Sequence, residues 1–505
     1  MNSYSSLDMT EELNNPLKGI TINRTLDGLP ASDAPESGRR RRGASARKNT
    51  ASAADTAAME RTSRKRLHSD PYLWGLYLVY LVYSIVELYS ASSSEIKGQK
   101  VFEPLIQHAI YLILGFVVIL VMSNIHYKYY RKTAWAFGVI AVLLMIWSFF
   151  GGVVLNGAQR AVRIAGFTIQ PPEIAKLALV VLLAKVISKN QMRHGITNTG
   201  MFISLAITAL FCLLLIKNGL TNTILIGLTA LSMLVIGGLQ MKKIAILFIV
   251  VGVVGGIFGY KKFFGGEEPA SGTATEATAA GVNPTAVSAV PITRESARID
   301  RTNLRKDRIT NYLEGVHPDD KITDENRQVI FSKIAQAHGG VIGNGPGNSR
   351  ENARLPLAFS DYIFSIIIED TGLVGGLALL VFYLCLVGRA GRIAVKCRKA
   401  FPALLIMGCA VMIVLQALVH MSIVVGIAPV SGQPLPFISK GGTSVIVMSA
   451  AMGMMLSVSK FAVQSGRKQE QHTALREAVA DTEETDNPTM MQAPVDMQGR
   501  PLTYN

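Results

Sequence analysis

Residues 355–388 read LPLAFSDYIFSIIIEDTGLVGGLALLVFYLCLVG, and this stretch decides the fold. After Asp361 it is almost uninterruptedly apolar to Gly388, longer than the roughly 20 residues that carry a helix across a hydrocarbon core. A backbone in hydrocarbon must satisfy its own N–H and C=O groups, which leaves helices or closed barrels. The run lacks the alternation of a barrel strand, so it predicts a membrane-spanning helix over 362–388. Asp361 stands at the mouth of that helix, and Glu369 and Asp370 fall about two turns inside it. Charged groups at such depth are costly and tend to face a partner or a polar cavity.

Working outward, comparable apolar runs occur near 72–93, 105–123, 134–154, 172–188, 200–216, 222–239, 243–262, 402–426 and 443–460. Nearly half of the 505 residues are hydrophobic. The expected fold class is therefore all-α: a polytopic membrane bundle of about ten helices, with a large external loop between the seventh and eighth. The sequence divides into a disordered basic tail (1–70), spans one to seven (71–262), the large loop (263–360), spans eight to ten (361–460) and a second disordered tail (461–505).

Lys and Arg in short loops set orientation. Arg39 to Arg42, Arg47, Lys48, Arg61, Arg64, Lys65 and Arg66 precede the first span, which makes the amino terminus cytoplasmic. Counting forward puts Lys128, Arg131 and Lys132, then Lys189 and Arg193, Lys242 and Lys243, and the group from Arg389 to Lys399 on that same side. Both termini are then cytoplasmic, and Asp361 faces outward. The net charge of +15 fits topology and attraction to anionic inner-leaflet lipids better than nucleic-acid binding. No cleavable leader is read, because the first apolar run begins beyond residue 70 and has full spanning length. The four cysteines, Cys212, Cys385, Cys397 and Cys409, have no metal-ligand spacing and read as packing residues. Between Phe263 and Thr293 the Ala/Thr/Gly/Pro composition reads as a flexible linker. The basic run from Arg294 to Arg308 that follows reads as a cationic helix face, either solvated or meeting anionic groups.

Ahead of Asp361 lie Gly339, Gly340, Gly343, Gly345, Gly347 and Ser349. Glycines let backbone N–H groups approach an anion closely, although a plain turn has the same composition. Arg160, Arg163, Arg350 and Arg354 offer planar forks suited to phosphate oxygens, and Lys440 adds a further cation. Asp361 suits proton abstraction from a hydroxyl, while an Asp at a helix start is also an ordinary cap. Glu173 and Lys176, three apart on one helical face, can pair locally.

Several segments, in order, resemble one family. They are YSAS at Tyr89 to Ser92; NGAQRAVRIAGFTIQPPEIAKL from Asn156 to Leu177; Gln328, Ser332 and Ala335; GGVIGNGPGNS from Gly339 to Ser349; LPLAFSDYIFSIIIEDTG from Leu355 to Gly372; and GIAPVSGQPLPFISKGGTS from Gly426 to Ser444. Together they are similar to the SEDS family (shape, elongation, division and sporulation), the membrane peptidoglycan polymerases that include FtsW and RodA. The resemblance covers the core from about Asp70 to Lys460. Departures are present: the family's Glu-Pro-Asp-x-Gly-Thr is represented by Asn218 to Thr223 without its acid. The Trp of NGAxRW is Ala161, the Tyr of SYGG is Lys440, and an Asn before the last external loop is His420.

The resemblance implies a peptidoglycan glycosyltransferase acting on lipid II, with Asp361 as the catalytic carboxylate that would deprotonate the acceptor's 4-hydroxyl. It implies that Arg160, Arg163, Gln170, Glu173, Lys176, Gly343, Gly345, Gly347, Ser349, Arg350, Arg354 and Lys440 contact substrate or its diphosphate, supported by Glu369, Ser439, Gly441 and Gly442. Undecaprenyl diphosphate would leave. The implied partners are a class B penicillin-binding protein and other divisome membrane proteins, in the bacterial cytoplasmic membrane. The long polar amino-terminal tail and the NGAxR wording favour division over elongation. A divalent cation, Mg or Mn, is compatible with the diphosphate, but no carboxylate cluster demands one and no metal site is assigned. A lipid II flippase lined by Glu173, Lys176, Glu369 and Asp370, or a non-catalytic scaffold for the transpeptidase, are the alternatives.

Overall fold

The structure, a computed structural model, describes residues 69–93, 102–151, 153–155, 158–164, 167–192, 195–216, 219–240, 242–243, 245, 326–351, 354–355 and 360–485. Three helices come first: α1 (Pro71–Ser93), α2 (Phe102–Asn124) and α3 (Tyr127–Gly151). A small antiparallel sheet follows, β1 (Val153–Leu155), β2 (Ala158–Ile164) and β3 (Phe167–Ile169), in the order β1-β2-β3. Next come α4 (Pro171–Lys189), the short hairpin β4 (Gln191–Met192) and β5 (Gly195–Ile196), α5 (Asn198–Leu215) and α6 (Leu220–Ile236). The last part holds α7 (Arg327–Gly339), α8 (Ile363–Val395), α9 (Ala400–Val425) and α10 (Gly442–Thr485).

Nine expected spans coincide with α1 to α6 and α8 to α10. Among the described residues, seven helices are long and apolar enough to cross a membrane, and α6 is a shorter apolar one. The expected span over 243–262 falls almost wholly outside the described residues, as do the insert from Phe263 to Thr293, the basic run after it and residues 1–68 of the tail. The bundle is all-α as expected, with the two small sheets as additions in its connections.

The centre of the bundle is α4. It is buried on nearly every side, from Pro171 to Ile187, as expected of a helix enclosed by other helices. It packs on α3, α5, α6 and α9, while α10 packs along α2 and α8 packs on α9 and α1. By contrast α2, α3 and α5 expose large apolar side chains such as Ile113, Trp147 and Leu213, the composition that suits lipid contact.

One correction concerns the carboxyl end. Residues 464–485, expected to be disordered, continue α10 as helix to Thr485. The physical reason is compositional: this stretch is rich in Gln, Glu, Arg and Ala, and its first proline is Pro488, so helix propensity is unopposed.

The two ends of the bundle are tied differently. At one end Asp70 caps α1, accepting from the N–H of Tyr72 at 3.0 Å and of Leu73 at 3.3 Å. It also receives Arg389 Nη2 at 2.5 Å and Nε at 3.1 Å, and the guanidinium lies 4.1 Å from the centre of the Tyr72 ring. At the other end the connections themselves interlock, and there the polar residues gather.

Candidate active site

Asp361 sits two residues ahead of α8, half-buried, and accepts a hydrogen bond from Ser360 Oγ at 2.8 Å. The Ser360 carbonyl accepts in turn from Ser439 Oγ at 2.9 Å, and Ser439 Oγ accepts from the Leu435 N–H at 2.7 Å. Thus the segment PLPFIS (Pro434 to Ser439) is stitched to the residue preceding the acid. The segment is itself held firmly. Phe437 has φ 65°, a left-handed conformation that costs a bulky residue on the order of 1–3 kcal/mol. Its ring stacks on Tyr80 with centroids 5.4 Å apart, Tyr80 stacks on Tyr383 at 4.8 Å, and the Tyr383 hydroxyl donates to the Pro436 carbonyl at 2.6 Å. Burial of three rings offsets the backbone strain, and Ser439 and Lys440 follow directly after.

The glycine-rich loop has a role that its composition alone leaves open. Helix α8 is broken at Gly372 (φ 72°, ψ −179°), and the loop from Gly340 to Gly345 plugs the break. The N–H groups of Asn344 and Gly345 donate to the carbonyls of Glu369 and Asp370 at 3.0 and 2.8 Å, while those of Leu373 and Val374 donate to the carbonyls of Gly340 and Val341 at 3.0 and 3.2 Å. The orphaned backbone groups of a broken helix are thereby satisfied by a distant piece of chain. Approach is so close that a Cβ on Gly343 would lie 2.3 Å from the Asp370 carbonyl, and one on Gly339 would lie 2.0 Å from the Ile368 carbonyl. Gly343 N–H donates to the Gly339 carbonyl and Gly347 N–H to Ser90 Oγ. All three N–H groups expected to face a diphosphate are thus engaged inside the protein, so the glycines receive a packing role.

Glu369, fully buried, organises the next segment. Its carboxylate accepts from Ser349 Oγ at 2.5 Å, from the Arg350 N–H at 2.8 Å and from the Glu351 N–H at 3.4 Å. Glu351, which composition did not single out, is buried and lies 3.4 Å from Arg354 Nη1 and 3.6 Å from His338 Nδ1. Arg350 and Arg354 therefore lie on a segment whose backbone is held by the Glu369 carboxylate and whose Glu351 carboxylate pairs with Arg354.

A second buried polar group lies under the connection between α9 and α10. Lys176 Nζ donates to Glu173 Oε1 at 2.7 Å, forming the expected local pair, and also to Gln416 Oε1. Gln416 Nε2 donates to the Pro434 carbonyl at 3.0 Å. His420, one turn further along α9, donates from Nδ1 to the Gln433 carbonyl at 2.7 Å, and Gln433 Nε2 donates to Asn222 Oδ1 on α6 at 3.1 Å. The Gln170 N–H, at the start of α4, donates to Thr443 Oγ1 on α10 at 3.2 Å. Sequence reading passed over Gln416, Gln433 and Asn222 as site residues because each lies alone in an apolar or turn-like context. It passed over Glu87 for the same reason: this buried acid on α1 interacts electrostatically with Asp370.

Gly441 and Gly442 close the same connection, and a Cβ on Gly442 would meet the Tyr111 ring at 2.5 Å. Arg160 and Arg163 lie on β2, whose side chains are outside the described residues. Among the described residues, no group of three or more His, Cys, Asp or Glu is arranged to hold a metal ion.

A polytopic helical bundle with an acid, exposed arginines and a buried ion pair gathered at one end defines a membrane-embedded protein with a polar site in its end loops. The chain belongs to the FtsW/RodA/SpoVE family, whose model, described as a cell cycle protein, matches residues 71–262 and 270–464. A probable peptidoglycan glycosyltransferase FtsW of Geobacter sulfurreducens is 30% identical over 383 residues, covering 75% of this chain and 91% of the relative. The peptidoglycan glycosyltransferase MrdB of Escherichia coli K12 is 26% identical over 79% of this chain and 95% of its own length. The fold is shared with RodA of Thermus thermophilus (TM-score 0.52, 19% identity, 78% of this chain and 97% of that one). It is shared also with a chain of a peptidoglycan synthase complex (TM-score 0.58, 20% identity, 77% and 97%).

Proposed function

We propose that the protein is a peptidoglycan glycosyltransferase that polymerises lipid II into β-1,4 glycan strands during cell division. The observation that carries this reading is Asp361, held at the entrance of α8 by the Ser360–Ser439 link, in a chain whose relatives are named peptidoglycan glycosyltransferases. Asp361 accepts the proton of the acceptor sugar's 4-hydroxyl. The freed oxygen attacks the anomeric carbon of the donor sugar, the bond to undecaprenyl diphosphate breaks with inversion, and the diphosphate carries away the electron pair. Arg350, Arg354 and Lys440 supply positive charge for the departing oxygens, joined by Arg160 and Arg163 on β2; the Arg354 side chain is 63% exposed and so accessible to a ligand. Glu369 and Ser349 act on the arginine segment, and Gln170, Glu173 and Lys176 on the neighbouring wall. In this reading the Asp361 end faces outward, both termini are cytoplasmic, the membrane is the bacterial cytoplasmic membrane, and a class B penicillin-binding protein cross-links the strands with other divisome membrane proteins.

The test is polymerisation of labelled lipid II by the purified protein with a glycosyltransfer-silent partner, comparing wild type with Asp361→Asn. Loss of a general base lowers turnover by about 100- to 10,000-fold. Long strands from wild type and none from the correctly inserted variant support the assignment. Equal polymerisation removes Asp361 from the mechanism, and no product from either protein favours a flippase or a scaffold.

A further inference from the structure

The buried network under the α9–α10 connection has an imbalance that the reaction as written does not use. Its members are Glu173 and Lys176 on α4, Asn222 on α6, Gln416 and His420 on α9, and Gln433 in the connection. Glu173, His420 and Gln433 are each 3% exposed or less. Within this network, three buried atoms have no hydrogen-bond partner among the described residues: Glu173 Oε2, His420 Nε2 and Gln433 Oε1. All three are acceptors. The Gln433 carbonyl can only accept, so His420 Nδ1 carries a hydrogen and the neutral ring presents Nε2 as a lone pair. Buried acceptors are normally satisfied, and a partly satisfied polar network is costly. Three in one connected set mark a place built to receive donors.

The chemical class of the donor follows from the charges. Glu173 is already neutralised by Lys176 at 2.7 Å, so a cation would bring uncompensated charge into a buried place. A neutral donor brings none. The network is tied to the reacting acid through one connection: the Gln433 and Pro434 carbonyls that anchor it lie a few residues before Ser439, which bonds the residue before Asp361. We infer that His420, Gln433 and Glu173 form a hydroxyl-reading subsite for a sugar of the lipid-linked substrate, with His420 Nε2 as a specificity-determining acceptor. This rests on the glycosyltransfer reading for the identity of the sugar, but not for the chemistry of the site.

His420→Asn and His420→Gln separate the two ring nitrogens. An asparagine amide replaces the Nδ1–H donor that holds Gln433 and leaves nothing at Nε2; a glutamine carbonyl oxygen reaches the Nε2 position. Initial rates of lipid II polymerisation and equilibrium binding of lipid II are measured for the full chain and both variants, with thermal midpoints alongside. The expected result is that His420→Asn raises KM and Kd by about 3- to 10-fold, the size of one hydrogen bond to a neutral donor. Its kcat and thermal midpoint stay near wild type, whereas His420→Gln keeps KM and Kd within about 2-fold of wild type while its thermal midpoint falls, because the Gln433 carbonyl loses its donor. Unchanged KM and Kd in His420→Asn, with wild type active, overturn the inference and leave water as the occupant. A matched fall in kcat and thermal midpoint also overturns it, in favour of a structural role. Wild type that binds lipid II without polymerising it counts against the glycosyltransfer reading alone, and Kd of His420→Asn then decides the inference; wild type that does not bind overturns both.

Discussion

Replacing Gly343 with alanine tests whether the glycine loop is a plug in a broken helix or a cradle for an anion. Gly343 has φ 87°, and a Cβ there would sit 2.3 Å from the Asp370 carbonyl oxygen and 2.4 Å from the Gly372 nitrogen. Neither atom is the free end of a side chain, so the loop must lift. Lifting removes the bonds from Asn344 to Glu369 and from Gly345 to Asp370, each worth about 1 kcal/mol net. The left-handed conformation costs alanine a further 1–2 kcal/mol or so. The expected loss is therefore about 3–4 kcal/mol of stability. Gly345 is the internal control: it has the same φ of 87°, but its added Cβ would meet only Asn348 Nδ2 at 3.5 Å. Gly345→Ala should then cost only the backbone term, about 1–2 kcal/mol. The assay is denaturant unfolding of the protein in detergent together with hydrogen exchange of residues 340–347, where Gly343→Ala should lose protection and Gly345→Ala should largely keep it. Equal stability and equal protection in the two variants would refute the plug.

Three further outcomes follow from the same geometry. Glu369→Gln removes a carboxylate that accepts from Ser349 Oγ, Arg350 N–H and Glu351 N–H; an amide accepts at only one of its two ends, so proteolysis of the 349–355 turn should quicken and stability should fall by about 2–3 kcal/mol. Lys176→Met strands the Glu173 carboxylate in the core and should cost about 3–5 kcal/mol, most of it recovered in the double variant with Glu173→Gln, as read by thermal unfolding. Asp70→Ala deletes the α1 cap and the Arg389 pair at the opposite end, and should cost about 2 kcal/mol while leaving lipid II polymerisation rates near wild type.

The spans were legible because a 20-residue apolar helix leaves a local signature that no neighbour is needed to read. The i,i+3 pair of Glu173 and Lys176 was legible for the same reason. What escaped were contacts closed across long stretches of chain: Lys176 meets Gln416 and Gln433 meets Asn222, partners 240 and 211 positions apart. A single glutamine in an apolar run carries no sign of which distant group it will satisfy. The small sheet from Val153 to Ile169 escaped because its strands are short and lie where an apolar span and a turn-rich connection adjoin.

The glycine motif shows how a local pattern can be read correctly and still leave its partner open. Glycine permits close approach of backbone to something, and composition cannot say to what. Here the partner is the chain itself, because a helix opened at Gly372 exposes carbonyls and N–H groups that the surroundings must satisfy. That requirement makes the loop and the break one unit. Glu369 and Asp370, whose carbonyls receive the loop, lie three and two residues before the break, and the Glu369 carboxylate in turn holds Ser349 and Arg350. Moving the loop therefore moves the arginine turn, which leads by a few residues to Asp361. A substitution in the loop should accordingly change catalysis even though its N–H groups are already spent. The same dependence predicts the order of damage: variants that unseat the loop, such as Gly343→Ala, should lower kcat and stability together, whereas removal of Arg354, which is largely exposed, should lower activity with stability unchanged.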